Sequence, residues 1–147
     1  MTAATIHAGA VLLGEAGVLV RGSSGSGKSS LLLALLDRDP SARLVADDRV
    51  ALSSANGLLL AAAPPGLAGL IEIRGHGIVR RPFVSPVVLR LVVDLLPLED
   101  CERMPDSDNL EVAVEDVRLP LLRLPIGAAD GALRVLSRLA GLATKPL

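Results

Sequence analysis

The chain has 147 residues, a formal net charge of -1 and 50% hydrophobic residues. That is enough for one domain with a sizeable core, and it lacks the basic surplus that marks a nucleic-acid-binding surface. Aromatic residues make up 1%, Phe83 being the only one, and Cys101 is the only cysteine. The core must therefore be Leu, Val, Ile and Ala, and an intrachain disulfide is excluded.

In chain order, Ala3 to His7 carry no formal charge and read as a short strand. A second strand, about Ala10 to Leu13, leads through the turn-like Glu15-Ala16-Gly17 into a third that ends at Arg21. Strands joined by a glycine-containing turn suggest a hairpin. This one feeds Gly22-Ser23-Ser24-Gly25-Ser26-Gly27-Lys28-Ser29, which fits G-x-x-x-x-G-K-[ST] with no deviation. A helix follows from about Lys28 to Leu36, and Asp37-Arg38-Asp39-Pro40 ends it, since proline cannot continue the pattern.

Ala42 to Ala46 reads as a strand running straight into Asp47-Asp48. Arg49 to Ser53 and Leu58 to Ala62 form a hairpin around Asn56-Gly57, and Pro64-Pro65-Gly66 breaks the chain. Val50 to Ile71 is the longest uncharged run, but its serines, prolines and glycines exclude a membrane span. With no Lys/Arg-rich secretory start and no paired cysteines, a cytoplasmic location is expected. Gly69 to Arg74 is strand-like and ends in Gly75-His76-Gly77. Val87 to Leu95 is the most β-branched run and the expected central strand. A polar Asp/Glu-rich loop spans Pro97 to Leu110, and Glu111 to Val114 and Val117 to Leu124 give two more strands. Asp130 to Leu142 closes the chain as an amphipathic helix, with Leu133, Leu136, Leu139, Ala140 and Ala143 near helical spacing.

Strand, glycine loop and helix in that order are the context a phosphate-binding loop requires. Gly22, Gly25 and Gly27 allow backbone conformations that a Cβ would obstruct. The N–H groups of this segment, Ser23, Ser24 and Ser26 among them, can then curl around phosphate oxygens. Lys28 supplies a point charge for the β- and γ-phosphates, Ser29 a hydroxyl for Mg²⁺, and the helix the positive end of its dipole. A nucleotide and Mg²⁺ are the expected ligands. With no Tyr or Trp, adenine cannot be sandwiched between their rings, so its recognition must be aliphatic or weak. The plainer alternative, a Gly/Ser-rich turn containing Lys-Ser by accident, does not account for both flanks.

Asp47 and Asp48 place two carboxylates at the end of an apolar strand. In phosphate-loop proteins such an acid helps hold Mg²⁺. Adjacent strand side chains point to opposite faces, so the two cannot share one task unless the strand has ended. One could meet an attacking hydroxyl while the other leans toward the metal; a solvated turn is the bland alternative. His7 would approach the phosphates if the first two strands paired beside the loop, and would otherwise be a surface residue. His76, between two glycines, is expected to be solvated. Glu72 and Arg74 share one strand face. A metal for Glu72 and a phosphate for Arg74 would satisfy both, and so would a surface ion pair.

Four stretches resemble the HPr kinase/phosphorylase family, in the family's order and spacing. They are Gly22–Ser29, Leu44-Val45-Ala46-Asp47-Asp48-Arg49-Val50, Ala62-Ala63-Pro64-Pro65 and Ile71-Glu72-Ile73-Arg74-Gly75-His76-Gly77-Ile78-Val79. The last is far more specific than the phosphate loop. The resemblance implies an α/β fold with a mixed sheet around the loop, related to phosphoenolpyruvate carboxykinases. It implies an ATP- and Mg²⁺-dependent serine kinase acting on an HPr-type phosphocarrier of the sugar phosphotransferase system. It implies Asp48 as general base with Asp47 as its supporting neighbour, His7 interacting with that acid, Glu72 as a second metal ligand beside Ser29, and Arg74 near the phosphates. Arg103, in Glu102-Arg103-Met104, is the nearest match to a downstream catalytic arginine. Family members are often hexamers, so self-association is expected.

The departures are also informative. The family's dephosphorylation stretch, Pro-Val-Lys-x-Gly-Arg-Asn, has as its nearest counterpart Leu124-Pro125-Ile126-Gly127-Ala128-Ala129-Asp130, without the lysine, arginine or asparagine. Kinase activity without phosphorylase activity is therefore expected. Ser30 stands where the family usually has glutamate. The chain looks like the short alphaproteobacterial form, a single catalytic domain over residues 1–147. Two rivals remain: another phosphate-loop small-molecule kinase, and a nucleotide-binding regulator without catalysis. The Asn-Lys-x-Asp motif of GTPases and the Leu-Ser-Gly-Gly signature of transporter ATPases are both absent.

Overall fold

A computed structural model describes residues 4–143. Strand β1 (Ala4–His7) is separated only by Ala8 from β2 (Gly9–Leu13), which turns back into β3 (Ala16–Gly22). The glycine loop and α1 (Lys28–Arg38) follow, then β4 (Arg43–Ala46) and the hairpin β5 (Arg49–Ala55) and β6 (Leu58–Ala62). A small separate hairpin comes next, β7 (Leu70–Ile73) with β8 (Gly77–Arg80). The long β9 (Val87–Leu96), the hairpin β10 (Glu111–Val114) and β11 (Val117–Pro125), and α2 (Gly131–Leu142) complete the chain. The fold is a mixed α/β arrangement, as expected.

The central place of β9 follows from its composition. An apolar, β-branched strand is at home where both faces are buried. One edge pairs in parallel with β3. The other edge is divided: Val87 and Val88 pair antiparallel with Ala61 and Leu60 of β6, while Val92 to Leu96 pair in parallel with Leu121 to Pro125 of β11. The register against β3 slips between Gly17↔Leu89 and Val18↔Leu91, leaving Arg90 as an extra residue. An inserted residue changes which face the following side chains occupy. Val87 and Leu89 accordingly share a core cluster with Val92, whereas Leu91, Val93 and Leu95 belong to the cluster under the helices.

The sheet path runs β1-β5-β6-β9-β3-β2-β4. Sequence neighbours therefore sit near opposite ends of it: β1 and β2 are joined by one residue, β4 and β5 by two. Such short links force the ends together and curl the sheet around a cluster that includes Leu19, Val45, Val50, Leu52, Leu59 and Leu89. The opposite face carries α1 and α2, whose Leu31, Leu32, Leu35 and Val135 share an apolar cluster with Val18, Val20, Leu91 and Val93 of the sheet. Both clusters are aliphatic, and each fully buried Leu or Val contributes about 1.5–3 kcal/mol.

Two expectations are corrected: α1 continues to Arg38, and on α2 Leu133 is 53% exposed, while Gly131, Ala132 and Val135 are buried and Leu136 and Leu139 pack partly buried against the core. β1 pairs with β5 (His7 opposite Arg49), so the pairing of the first two strands that would bring His7 to the loop is not the one formed. Gly77–Arg80, to which the sequence assigns no element, is a strand. The strand expected from Ala3 is seen from Ala4; Ala3 itself lies outside the described residues.

Candidate active site

The phosphate loop bridges the end of β3 and the start of α1. Gly27 caps the helix with φ 96 and Gly25 has φ 82, values that an L side chain rarely adopts. A side chain does not cap α1 and its first turn has no acid, so its leading N–H groups and dipole are free to receive an anion. Lys28 folds back on the loop, its Nζ donating to the carbonyls of Gly22 at 2.8 Å and Ser23 at 3.0 Å. Beneath the loop, Arg21 of β3 makes a two-pronged contact with Asp94 of β9, at 2.8 and 2.9 Å. This pair was not singled out in the sequence. Its signal was one arginine and one aspartate, each isolated in an apolar strand, but their pairing depends on the parallel β3–β9 register.

The curled sheet brings its two short links to one seam, and the acids lie there. The Asp47 side chain is buried, Asp47 being 7% exposed. Its Oδ1 accepts the Ser29 hydroxyl at 2.7 Å and its Oδ2 the Glu72 N–H at 3.1 Å. Asp47 thus ties the start of α1 to β7. Asp48 differs in every respect. The Arg49 N–H donates to the Asp47 carbonyl at 2.8 Å across it, and its φ is 70, the combination found in the rare, strained form of γ-turn. Strain of this kind clusters at functional sites. The Asp48 side chain projects outward, 76% exposed, with His7 Nδ1 at 3.8 Å from its Oδ1. The Ala8 N–H donates to the Asp48 carbonyl at 3.3 Å, so the two links that carry His7 and Asp48 are joined directly.

A polar cavity of about 130 Å³ is lined by His7, Ser24, Gly25, Gly27, Lys28, Ser29, Ser30, Asp47, Asp48, Glu72 and Arg74. Most of the expected site residues therefore converge; Gly22, Ser23 and Ser26 belong to the same loop but do not line this cavity. Glu72 and Arg74 are exposed, and among the described residues they form no ion pair with one another. His76 is exposed in the β7–β8 turn. Arg103 falls elsewhere. It borders a separate cavity of about 170 Å³ with Glu102, Asn109, Arg123 and Arg134, and no residue of the polar cavity borders that one.

Two further cavities adjoin the site. One, about 230 Å³, shares Ser29, Asp47, Asp48 and Glu72 with the polar cavity and is otherwise lined by Leu67, Leu70, Ile71 and Ile78. Ile78 is 70% exposed on this lip. The other, about 320 Å³, shares Gly25, Gly27 and Ser30 and extends toward the β11–α2 turn. Sequence reasoning did not identify either, because they form between elements distant in the chain.

The donors around Asp47 suit Mg²⁺. A hydroxyl and carboxylates are hard oxygen ligands, and Mg²⁺ is usually held by one or two carboxylates together with substrate phosphates. Among the described residues there is no group of three or more His, Cys, Asp or Glu side chains that would form an all-protein cage.

A family model described as the HPr Serine kinase C-terminal domain matches residues 1–138. The chain is 40% identical over 121 residues to the HPr kinase/phosphorylase of Geobacillus kaustophilus, covering 75% of this chain and 38% of that protein. It is 36% identical over 137 residues to the HPr kinase/phosphorylase of Xylella fastidiosa, covering 84% and 42%. The chain thus spans about two fifths of the length of these curated relatives. The solved structure of the Hpr(Ser) kinase/phosphatase from Coxiella burnetii superposes with a TM-score of 0.78 at 29% identity, covering 95% of this chain and 92% of that one. The family-model match over residues 1–138 and the shared fold agree, and the chain belongs to the HPr serine kinase C-terminal domain family.

Proposed function

We propose that the chain is a single catalytic domain that transfers the γ-phosphoryl group of ATP to a serine hydroxyl of an HPr-type phosphocarrier. The observation that carries this reading is the division of labour between Asp47 and Asp48. Asp47 is buried and committed to Ser29 and Glu72. Asp48 is held outward beside the loop, with its carboxylate reachable from solvent. A base for an incoming hydroxyl must be reachable; a residue that organises a metal site must be fixed.

The loop N–H groups and Lys28 receive the phosphates. Bound Mg²⁺, taken by Ser29 and Glu72 with Asp47 behind them, would neutralise charge on the β- and γ-phosphates. Asp48 accepts the proton of the substrate hydroxyl as its oxygen bonds to the γ-phosphorus and the bond to the β-phosphate bridging oxygen breaks, releasing ADP. His7 steadies the Asp48 carboxylate, and Arg74 faces the phosphates from just beyond β7. The apolar lip of Leu67, Leu70 and Ile78 borders the cavity that Asp48 shares, which suits approach by a protein acceptor. Arg103 would serve the reaction only from outside this cavity.

Dephosphorylation is not part of the proposal. The segment Ile126-Gly127-Ala128-Ala129, nearest match to the family's cationic stretch, borders the loop without a cation. A cytoplasmic, self-associating protein is proposed with it; among the described residues no helix is long and apolar enough to cross a membrane. The test is to incubate the protein with Mg²⁺, ATP and HPr-type carriers and locate added phosphate by mass spectrometry. A phosphoserine on the carrier is expected. Intact ATP binding with no transfer to any carrier would instead favour a non-catalytic regulator.

A further inference from the structure

The 320 Å³ cavity beside the loop is not used by the phosphates, metal or acceptor. It shares Gly25, Gly27 and Ser30 with the polar cavity, so a ligand whose phosphates lie over the loop can extend directly into it. Its volume is at the lower end of small-ligand sites, about 300–1,000 Å³. Its walls include Leu31, Ala34, Leu95, Leu124 and Ile126. Among the described residues, Ser26 and Ser30 are the polar side chains bordering it, and no charged, amide or aromatic side chain does. The turn that forms its outer rim has much of its backbone engaged. The N–H groups of Ile126, Ala128 and Gly131 donate to the carbonyls of Leu96, Pro125 and Ala128.

Resting on the phosphate-loop reading above, we infer that this cavity holds the nucleoside end of the donor and that it grips the base without reading it. Adenine and guanine differ in the hydrogen-bonding groups at one edge. Discrimination by about 10⁴–10⁵-fold requires buried polar groups built to meet such an edge, whereas apolar pockets separate similar ligands by only about 10–200-fold. Apart from the Ser26 and Ser30 hydroxyls, the wall supplies aliphatic contact and shape. The donor is therefore any nucleoside triphosphate whose base fits, with purines treated alike.

The experiment compares binding of ATP, GTP and inorganic tripolyphosphate, each with Mg²⁺, by isothermal titration calorimetry. Tripolyphosphate reaches the loop but has nothing to place in the cavity. ATP and GTP are expected to bind within about 10-fold of each other, and both at least about 10-fold more tightly than tripolyphosphate. Ala128→Trp, which fills the cavity, should remove that advantage and leave tripolyphosphate binding unchanged. Ile126→Ala, at a residue already 44% exposed, should reduce the advantage without disturbing the fold. A preference for ATP over GTP above about 10³-fold would overturn the inference. So would equal binding of ATP and tripolyphosphate, or an Ala128→Trp protein that keeps the ATP advantage while folded. If the wild type bound neither ATP nor tripolyphosphate, the phosphate-loop reading itself would fall, and this inference with it.

Discussion

Replacing Asp48 by Asn and Asp47 by Ala should produce opposite patterns of damage. Asp48 is exposed and its contact with His7 is 3.8 Å between side chains that are 76% and 64% exposed; such pairs are worth about 0–1 kcal/mol. Asn tolerates the left-handed backbone conformation as Asp does, so the strained turn is preserved. Asp48→Asn should therefore leave Tm within about 2 °C of wild type and leave ATP binding intact. It removes the proposed proton acceptor, and a positioned base is worth about 10²–10⁴-fold, or about 3–5 kcal/mol of barrier. Asp47→Ala strips a buried acceptor from Ser29 and from the Glu72 N–H. Hydrogen bonds to a charged group contribute about 1.5–3 kcal/mol, and stranded donors add to the loss. We expect a destabilisation of about 2–4 kcal/mol and a fall in Tm of about 5–12 °C. The assays are thermal unfolding by circular dichroism and single-turnover transfer of ³²P from ATP to the carrier. Wild-type transfer by Asp48→Asn would refute the assigned base and move the role to Asp47. A large loss of Tm in Asp48→Asn with none in Asp47→Ala would refute the structural division itself.

Three other outcomes are expected. Lys28→Ala should abolish measurable ATP binding in calorimetry, because the cation proposed to receive the phosphates is removed while the aliphatic core is untouched. Chelation with EDTA should stop transfer yet leave thermal unfolding of the nucleotide-free protein unchanged, since the metal would be held jointly with phosphate. Asp94→Ala leaves Arg21 partly buried and unpaired. It should cost about 2–3 kcal/mol in urea unfolding and weaken ATP binding as well, because Arg21 immediately precedes the loop.

Local signals in the sequence located most elements and the glycine loop, while relations between distant elements stayed hidden. The glycine loop, its two flanks and the Asn56-Gly57 turn are each specified by residues within a few positions, and all form where expected; Asn56 and Gly57 have φ 53 and 78, as a tight hairpin turn requires. β8 escaped notice because Ile78-Val79-Arg80 is short and follows Gly77 at φ 117. On α2, Leu136 and Leu139 of the expected stripe do pack against the core, but helical spacing gives a period and not the edges of the buried face, and Leu133 falls outside it. The buried positions are Gly131, Ala132 and Val135, and a Cβ on Gly131 would meet Leu31 of α1 only at an ordinary contact distance, 3.4 Å. The partner of β1 and the Arg21–Asp94 contact could not be read locally, since both depend on the closure of the curled sheet. The convergence of His7, Asp48 and Glu72 depends on that same closure, although the resemblance to the family had already named those residues.

The divided edge of β9 also governs the order in which the protein can become active during synthesis. Arg21 and Asp94 lie 73 positions apart, and β3 pairs only with β2 until β9 exists. On the ribosome the phosphate loop therefore emerges early but has no rigid base until residues 87–96 have left the exit tunnel. Because β11 takes the remaining half of the divided edge, that base is finished only when residues 121–125 have also been made. The rigid setting of the loop is thereby tied to the synthesis of β9 and β11, and a nascent or prematurely terminated fragment ending before β9 carries the full glycine motif without that scaffold.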